Sequence, residues 1–189
     1  MFAVNNQTYI MKKKYLIIAM LFSFFAVNAQ NVIPQNEKQN EVKVNVLLPL
    51  AGTFEATYER NLNSKSSLGI TGLFVFNNKN SNEDTNYMIT QYYRRYFGKK
   101  YASGFFAEGF GMLSSIDGKK IYDTNDNLTF TKGSDVIDYS LGIGLGSKWV
   151  TKSGIIIEVN AGLGKLLFNA DKTDHDQVAR FGLQLGYRF

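Results

Sequence analysis

The chain has 189 residues, a length that suits a single domain. It contains 21 Lys and Arg against 16 Asp and Glu, with one His and no Cys, so a disulfide framework and a metal centre built from several His or Cys ligands are excluded. The one long apolar stretch lies near the N-terminus, which excludes a membrane protein built from many helices.

Residues 1–29 have the parts of a secretory signal peptide. Lys12–Lys14 form the positive segment, Tyr15–Ala26 the apolar segment, and Val27–Ala29 the cleavage site; Met11 is the expected true start. The apolar segment is shorter than the ~20 residues that span a bilayer, so a retained anchor is the lesser alternative. Cleavage removes three lysines and no acidic residue, so the formal net charge falls from +5 to +2. The case for nucleic-acid binding falls with it.

Residues 30–41 are polar and almost free of periodicity, and we interpret them as a flexible lead-in on the periplasmic side. From Val42 onward, apolar residues recur at every second position, which is typical of strands with two different faces. This alternation predicts eight strands of about 9 to 14 residues, a length that suits tilted membrane strands. The predicted strands are Val42–Leu50, Thr53–Leu62, Ser67–Asn77, Tyr87–Phe97, Ser103–Leu113, Ile137–Val150, Gly154–Leu167 and Phe181–Phe189.

The connections between these strands alternate in length. The short ones are Asn63–Ser66, Gly98–Ala102 and Thr151–Ser153, with Ala51-Gly52 as an additional tight turn, and the long polar ones are Asn78–Asn86, Ser114–Val136 and Asn169–Gln177. Short turns at one end and longer loops at the other are typical of outer-membrane barrels. The predicted fold class is therefore all-β, an eight-stranded antiparallel up-and-down transmembrane β-barrel that occupies residues 42–189, with both chain ends on the side of the short turns.

The glycine-bearing face of the strands is predicted to point inward. Glycines on an exposed strand weaken a soluble protein, whereas glycines that face a narrow lumen leave room for long neighbours. The opposite face of one late strand carries Leu141, Ile143 and Leu145, with Tyr139 and Trp149 towards its two ends, as in the aromatic girdles of membrane barrels. The inward glycines are Gly142, Gly144, Gly146, Gly162, Gly164, Gly182 and Gly186.

The same alternation predicts a cluster of charges in the lumen. Arg94 is placed inside and its neighbour Arg95 outside at the periplasmic rim, where its long side chain reaches water. Buried charges are costly unless they are paired, so we expect a mutually satisfied network that fills the lumen. A gated ion path and a catalytic glutamate are the alternatives. The predicted members are Lys43, Glu55, Glu59, Arg94, Glu108, Lys148, Glu158 and Arg188.

The chain resembles the small OmpA/OmpX-type outer-membrane β-barrel proteins. The resemblance rests on the signal peptide, the eight alternating strands and the closing segment RFGLQLGYRF (180–189). The segments TYERNL (57–62), QYYRRYFG (91–98) and GFFAEGFG (104–111) also resemble those of an uncharacterised group of short Gram-negative barrels. It implies location in the cell outer membrane. It also implies that Tyr187 and Phe189 form the C-terminal signal read by the outer-membrane assembly machinery. We expect the chain to end with the barrel, with no peptidoglycan-binding domain, and so to differ from the two-domain members.

The long loops contain the remaining candidate site residues. Tyr122 and Phe130 are the aromatic contact candidates of the longest loop. His175 lies among aspartates, and no nucleophile accompanies it, so we interpret it as a solvated loop histidine. The alternating oxygen ligands of residues 123–127 are a weak match to a calcium loop, because the Gly and the bidentate Glu of such loops are missing. The weak divalent-cation candidates are Asp123, Asn125, Asp171, Asp174 and Asp176.

The favoured function is a non-enzymatic barrel that acts as a structural or surface-interaction protein through its long extracellular loops. The alternatives are a narrow ion or small-solute channel, a lipid-modifying enzyme, and a secreted lipocalin-like binder with its faces reversed. The expected partners are outer-membrane lipid, lipopolysaccharide, the assembly machinery and an unknown extracellular ligand, and we expect a monomer with no cofactor and no nucleic acid.

Overall fold

The computed structural model describes residues 38–76, 85–116, 120–123, 126–132, 135–169, 173 and 176–189. Within these residues, eight antiparallel strands close into one barrel, in which each strand pairs with its neighbours in the chain and the first strand pairs with the last. The predicted signal peptide and most of the lead-in lie outside the described residues. The barrel strands are β1 (Asn40–Asn45), β2 (Thr53–Asn63), β3 (Ser66–Val75), β4 (Thr85–Tyr96), β5 (Gly104–Ile116), β8 (Val136–Val150), β9 (Ile155–Leu166) and β10 (Gln177–Arg188).

The first strand begins earlier in the chain than predicted, and it also ends earlier. It begins at Asn40, inside the predicted lead-in, and it ends at Asn45, whereas the alternation predicted a strand to Leu50. The Asn45 side chain accepts a hydrogen bond from the Leu47 amide (3.1 Å) and so bends the chain. A 3₁₀ turn over Leu48–Ala51 follows, since Pro49 has no amide hydrogen to donate to a ladder.

The longest predicted loop is not a simple loop. It contains two further strands, β6 (Lys120–Asp123) and β7 (Asp126–Lys132), which pair as a separate antiparallel hairpin. Tyr122 and Phe130 are directly opposite each other in this pairing. In the segment that resembled a calcium loop, Asp123 ends β6 and Asp126 begins β7, and the two residues are paired in the hairpin.

The two ends of the barrel differ in their connections. We name the turn end by its connections 64–65, 97–103 and 151–154, together with residues 38–39 and 189. We name the loop end by the segments 46–52, 76–84, 117–135 and 167–176. The alternation of short and long connections was predicted from the sequence, and the strands β2 to β10 keep it.

The outside of the barrel wall is mostly apolar, and most of the polar strand side chains are buried inside. On β8, Leu141, Ile143 and Leu145 face outward and are 41%, 76% and 56% exposed, while Lys148 on the opposite face is 1% exposed. This is the reverse of a soluble lipocalin-like barrel, and it suits a wall surrounded by lipid. The predicted fold class, an eight-stranded transmembrane β-barrel, is confirmed. Within the described residues, no helix is long and apolar enough to cross a membrane.

Glycines on β8 provide the room for the large side chains of β5. Phe106, Glu108 and Phe110 are in register with Gly146, Gly144 and Gly142. A Cβ atom at Gly142 would collide with the Phe110 ring, and one at Gly146 would collide with the Phe106 ring. The lumen is therefore filled by side chains from one strand that lie across the bare backbone of the next.

Candidate functional site: the charged lumen

Glu59, on β2, is the centre of the lumen network. Its carboxylate accepts hydrogen bonds from five donors among the described residues, and its side chain is fully buried. Two of the donors are tyrosine hydroxyls and three are cations, so one carboxylate is shared by three positive charges. The donors are Lys43 Nζ (2.6 Å), Tyr92 OH (2.7 Å), Arg94 Nη1 (2.9 Å), Tyr96 OH (2.6 Å) and Lys148 Nζ (2.8 Å).

Glu41 and Glu158 supply the carboxylates that balance those cations. Lys148 Nζ donates to Glu41 at 2.8 Å, and Arg188 Nη2 lies 2.7 Å from the same carboxylate. Lys43 Nζ donates to Glu158 at 2.7 Å, and Arg94 Nη1 lies 2.8 Å from it. Each lumen lysine therefore bridges two acids on different strands.

Arg94, on β4, connects this centre with the part of the lumen nearer the loop end. Its Nε donates to Glu108 at 2.6 Å, and Arg180 Nη1 lies 3.2 Å from the other oxygen of that carboxylate. The guanidinium also lies 4.2 Å from the ring centroid of Tyr92 and 4.1 Å from that of Phe106. Ring faces attract a desolvated cation, so these aromatics hold the arginine in place in addition to its ion pairs.

Glu55 differs from the other buried carboxylates. Its Oε1 accepts hydrogen bonds from the side-chain amides of Asn45 (3.2 Å) and Gln184 (3.1 Å). It forms no ion pair with any residue in the described part of the chain. The sequence predicted that it belongs to a charge network, but the structure places it beside neutral amides.

Apolar clusters lie on either side of the network along the barrel axis. Towards the loop end, Tyr92, Phe110, Met112, Leu166 and Val178 pack together. At the turn end, Tyr96, Ala102 and Phe106 form a second buried cluster, which is extended by Tyr101. The connection 97–103 folds under the barrel, because Ala102 is fully buried and its amide donates to the Ser64 carbonyl (2.9 Å). Charged and apolar side chains of the described strands are therefore both buried inside the barrel.

The structure brings together most of the residues that the sequence proposed, and it adds others. All eight predicted lumen residues are buried inside the barrel. The predicted set lacks Glu41 because this residue falls in the predicted lead-in. It lacks Arg180 because the predicted last strand begins at Phe181, whereas β10 begins at Gln177. Each shares the alternation of a residue that was identified: Glu41 that of Lys43, and Arg180 that of Arg188. Both residues would have been included if the two predicted strands had been extended by one residue towards the N-terminus.

The candidate residues outside the lumen are spread over the barrel. Tyr187 and Phe189 point outward at the turn end and are about half exposed, at 47% and 51%. Asp123 lies in β6 and Asp176 directly precedes β10. Asn125, Asp171, Asp174 and His175 lie outside the described residues. Among the residues that the structure describes, no group of three His, Cys, Asp or Glu side chains is placed to hold a metal ion.

The contacts of the network hold its charged side chains in place. Its acids and bases neutralise one another at hydrogen-bond distance, and charge-assisted bonds of this kind fix side chains firmly. Glu59 is already fully engaged by its donors and has no remaining face for a substrate. The arrangement favours rigidity over proton transfer.

Comparison with known proteins agrees with this architecture. Residues 15–184 match the family model described as "Protein of unknown function (DUF3575)". The chain belongs to this family. Its fold is similar to the crystal structure of the N-terminal β-barrel domain of Pseudomonas aeruginosa OprF, with a TM-score of 0.54 and 13% sequence identity, over 82% of this chain and 98% of that one. That likeness supports the OmpA-type barrel fold predicted from the sequence. No curated protein sequence matches the chain significantly.

Proposed function

We propose that this protein is a closed, non-enzymatic outer-membrane barrel that acts as a structural or surface-interaction protein through its loop end. The observation that carries the proposal is the filled lumen: Glu59 is bonded by five described donors, and apolar clusters lie on both sides of it. An eight-stranded barrel has an interior just wide enough for its own side chains. On this proposal, the side chains of the described strands leave solutes no open route along the axis, and function depends on the outer surfaces.

The outer membrane is the location that the wall supports. Most of its outward side chains are apolar, and aromatic residues lie on the outward face near the turn end, including Phe105, Trp149 and Tyr187, each about half exposed. Such rings are typical of the membrane interface. The N-terminal signal features support export, and the loop end is assigned to the cell exterior because outer-membrane barrels place their long loops there.

The β6–β7 hairpin is the part of the loop end that we assign to contact with partners. It stands outside the barrel sheet, and it pairs only within itself among the described strands. An isolated two-stranded sheet leaves two edges with free backbone groups, which is a common route for pairing with another chain. Its opposed Tyr122 and Phe130 are residue types that are favoured at interfaces.

Conductance measurements test the closed lumen. The folded protein is added to a planar bilayer, and a large porin added afterwards serves as the control for the membrane. We expect no steady openings from the protein and normal openings from the porin. Steady openings from the protein alone would show that it is a channel and would contradict the proposal.

The surface role is tested in cells. Residues 119–133 are replaced by a short Gly-Ser turn, and a matched variant carries only Lys120→Gln and Lys132→Gln in an intact hairpin. We expect both proteins to keep a heat-dependent mobility on denaturing gels, since the barrel strands are untouched. Binding of whole cells to host or matrix surfaces should fall only in the shortened variant. Equal binding by the shortened and the unaltered protein would contradict the role of the hairpin.

A further inference from the structure

Charge is distributed unevenly along the barrel axis. The turn-end connections contain Lys65, Lys99, Lys100 and Lys152 and no Asp or Glu. The sequence of the loop-end segments contains nine acidic residues and five lysines. The positive excess is therefore concentrated at the turn end, opposite the loops.

Two arginines on the outer wall extend this positive region. Arg60 on β2 and Arg95 on β4 both point away from the lumen and are exposed. Neither forms an ion pair within the described part of the chain, whereas the lumen arginines all contact carboxylates. Their charges are therefore available to an external anion.

These cations lie in one sector of the barrel. Arg60 is in register with Leu68 of β3, which is in register with Tyr93 of β4, and Arg95 lies two residues further along β4. Two strand spacings separate the arginines sideways, or about 10 Å. Lys65 joins the two connections in this sector, because its Nζ donates to the Gly98 carbonyl directly before Lys99 and Lys100.

Aromatic residues fix the depth of this sector in a membrane. Tyr58 precedes Arg60 by two residues on the same face of β2, and Tyr93 precedes Arg95 in the same way on β4. Two residues of a strand span about 7 Å. Because interfacial aromatic rings lie at the boundary of the hydrocarbon, the guanidinium groups beyond them lie at the depth of the lipid phosphates.

We propose that the turn-end sector formed by Arg60, Lys65, Arg95, Lys99 and Lys100 is a binding surface for anionic phospholipid headgroups of the periplasmic leaflet. Arginine binds phosphate through paired N–H groups, and lysines near an anionic membrane surface add attraction. Lipid is favoured over a soluble polyanion, because Arg60 and Arg95 lie on the lipid-facing wall at headgroup depth. The inference rests on the membrane insertion proposed above.

The test uses a tryptophan placed in the sector. Trp149 is the single tryptophan of the chain and lies on β8, outside the sector. Phe97 directly follows β4 and is 61% exposed, so a Phe97→Trp/Trp149→Phe variant moves the reporter next to the cations. The full-length protein, isolated in folded form, is reconstituted into phosphatidylcholine vesicles that contain 20 mol% of dibrominated phosphatidylglycerol or, in the parallel sample, 20 mol% of dibrominated phosphatidylcholine. The two quenching curves give the relative affinity for the anionic lipid at each tryptophan.

We expect the tryptophan at position 97 to show a preference for phosphatidylglycerol of about threefold or more, which falls in high salt. Trp149 of the unaltered protein should show a smaller preference. Adding Arg60→Gln/Arg95→Gln/Lys99→Gln to the Phe97→Trp/Trp149→Phe variant should bring its relative affinity for phosphatidylglycerol over phosphatidylcholine close to one. The matched control Lys120→Gln/Lys132→Gln/Lys165→Gln removes the same charge at the loop end and should leave it unchanged.

Equal quenching by the two brominated lipids at position 97 would overturn the proposal, as would an equal loss of preference in the control. Equal quenching with protection of Lys99 and Lys100 from trypsin by inorganic polyphosphate would assign the surface to a soluble polyanion instead. Absence of quenching by either lipid has a different meaning, since it shows that the protein has not inserted and contradicts the proposed membrane function itself.

Discussion

Arg188, in the last strand, donates its Nη2 to the carbonyl oxygen of Ala102 at 2.7 Å, although the two residues are 86 positions apart. Its Nη1 donates to the neighbouring Tyr101 carbonyl (3.1 Å), and its Nε donates to Glu41 (2.8 Å). One guanidinium thus joins β10, β1 and the connection between β4 and β5. This contact holds the 97–103 connection across the turn end of the barrel.

Replacing Arg188 should loosen that connection. Arg188→Leu removes the donors to Tyr101 and Ala102, so trypsin should cleave after the exposed Lys99 and Lys100 faster than it does in the unaltered folded protein. Arg188→Lys keeps a positive charge beside Glu41 but cannot reach both carbonyls in the same way, and we expect intermediate cleavage. Limited proteolysis with mass spectrometry measures the rate. Identical cleavage in all three proteins would show that Arg188 does not hold the connection.

Glu59→Gln should destabilise the barrel strongly. An amide cannot balance the three cations that surround this position, and removing one member of a buried ion pair typically destabilises a protein by about 3–5 kcal/mol. The matched control is Glu55→Gln, whose carboxylate is bonded by two amides. The measurement is the temperature at which half of the protein loses its folded mobility on a denaturing gel. We expect this temperature to fall much further for Glu59→Gln. Equal shifts would mean that burial, and not the charge network, determines the effect.

Gly146→Ala should also destabilise the protein, by about 1–3 kcal/mol, because the added Cβ would collide with the Phe106 ring. Phe106→Leu in the same chain should restore part of the loss. Gly109→Ala is the control, since its Cβ would find no atom within 4 Å. That change should alter stability by less than about 0.5 kcal/mol. Urea unfolding in lipid vesicles compares the variants, and a harmless Gly146→Ala would contradict the packing described for β5 and β8.

Tyr139 and Gln91 form a polar pair on the outward wall. The Gln91 side-chain amide donates to the Tyr139 hydroxyl across Gly111, where any side chain would collide with both. Tyr139→Phe leaves the amide without that partner and should destabilise by about 1–2 kcal/mol. Gln91→Leu in the same chain should recover most of it. Additive effects of the two changes, measured by urea unfolding, would show that the pair is not coupled.

The period-2 alternation predicted the fold because a barrel wall imposes it on every strand. It placed Lys43 and Glu158 inside and Leu141 outside correctly, and it identified the glycines that accommodate large neighbours. It could not predict where β1 stops, because Asn45 ends that strand through a local side-chain hydrogen bond. Nor did it predict the β6–β7 hairpin, which lies within the predicted polar loop Ser114–Val136.

The partners within the lumen could not be predicted from the alternation. Lys43 donates to Glu59 on β2, 16 residues away, and to Glu158 on β9, 115 residues away. Which acid meets which base depends on the stagger between strands when the sheet closes, and one sequence does not state that stagger. Glu55 shows the difference: its alternation is that of Glu59, yet it is bonded by amides.

The position of Glu41 and Arg188 has a consequence for biogenesis. They lie on β1 and β10, the two strands whose pairing completes the cylinder, and Lys148 of β8 depends on Glu41 for one of its carboxylates. A partly assembled sheet therefore carries uncompensated charges that a hydrocarbon environment strongly disfavours. The charges of the lumen are balanced only when β1 pairs with β10. Closure of the barrel is therefore the step that makes the inserted protein stable in the bilayer.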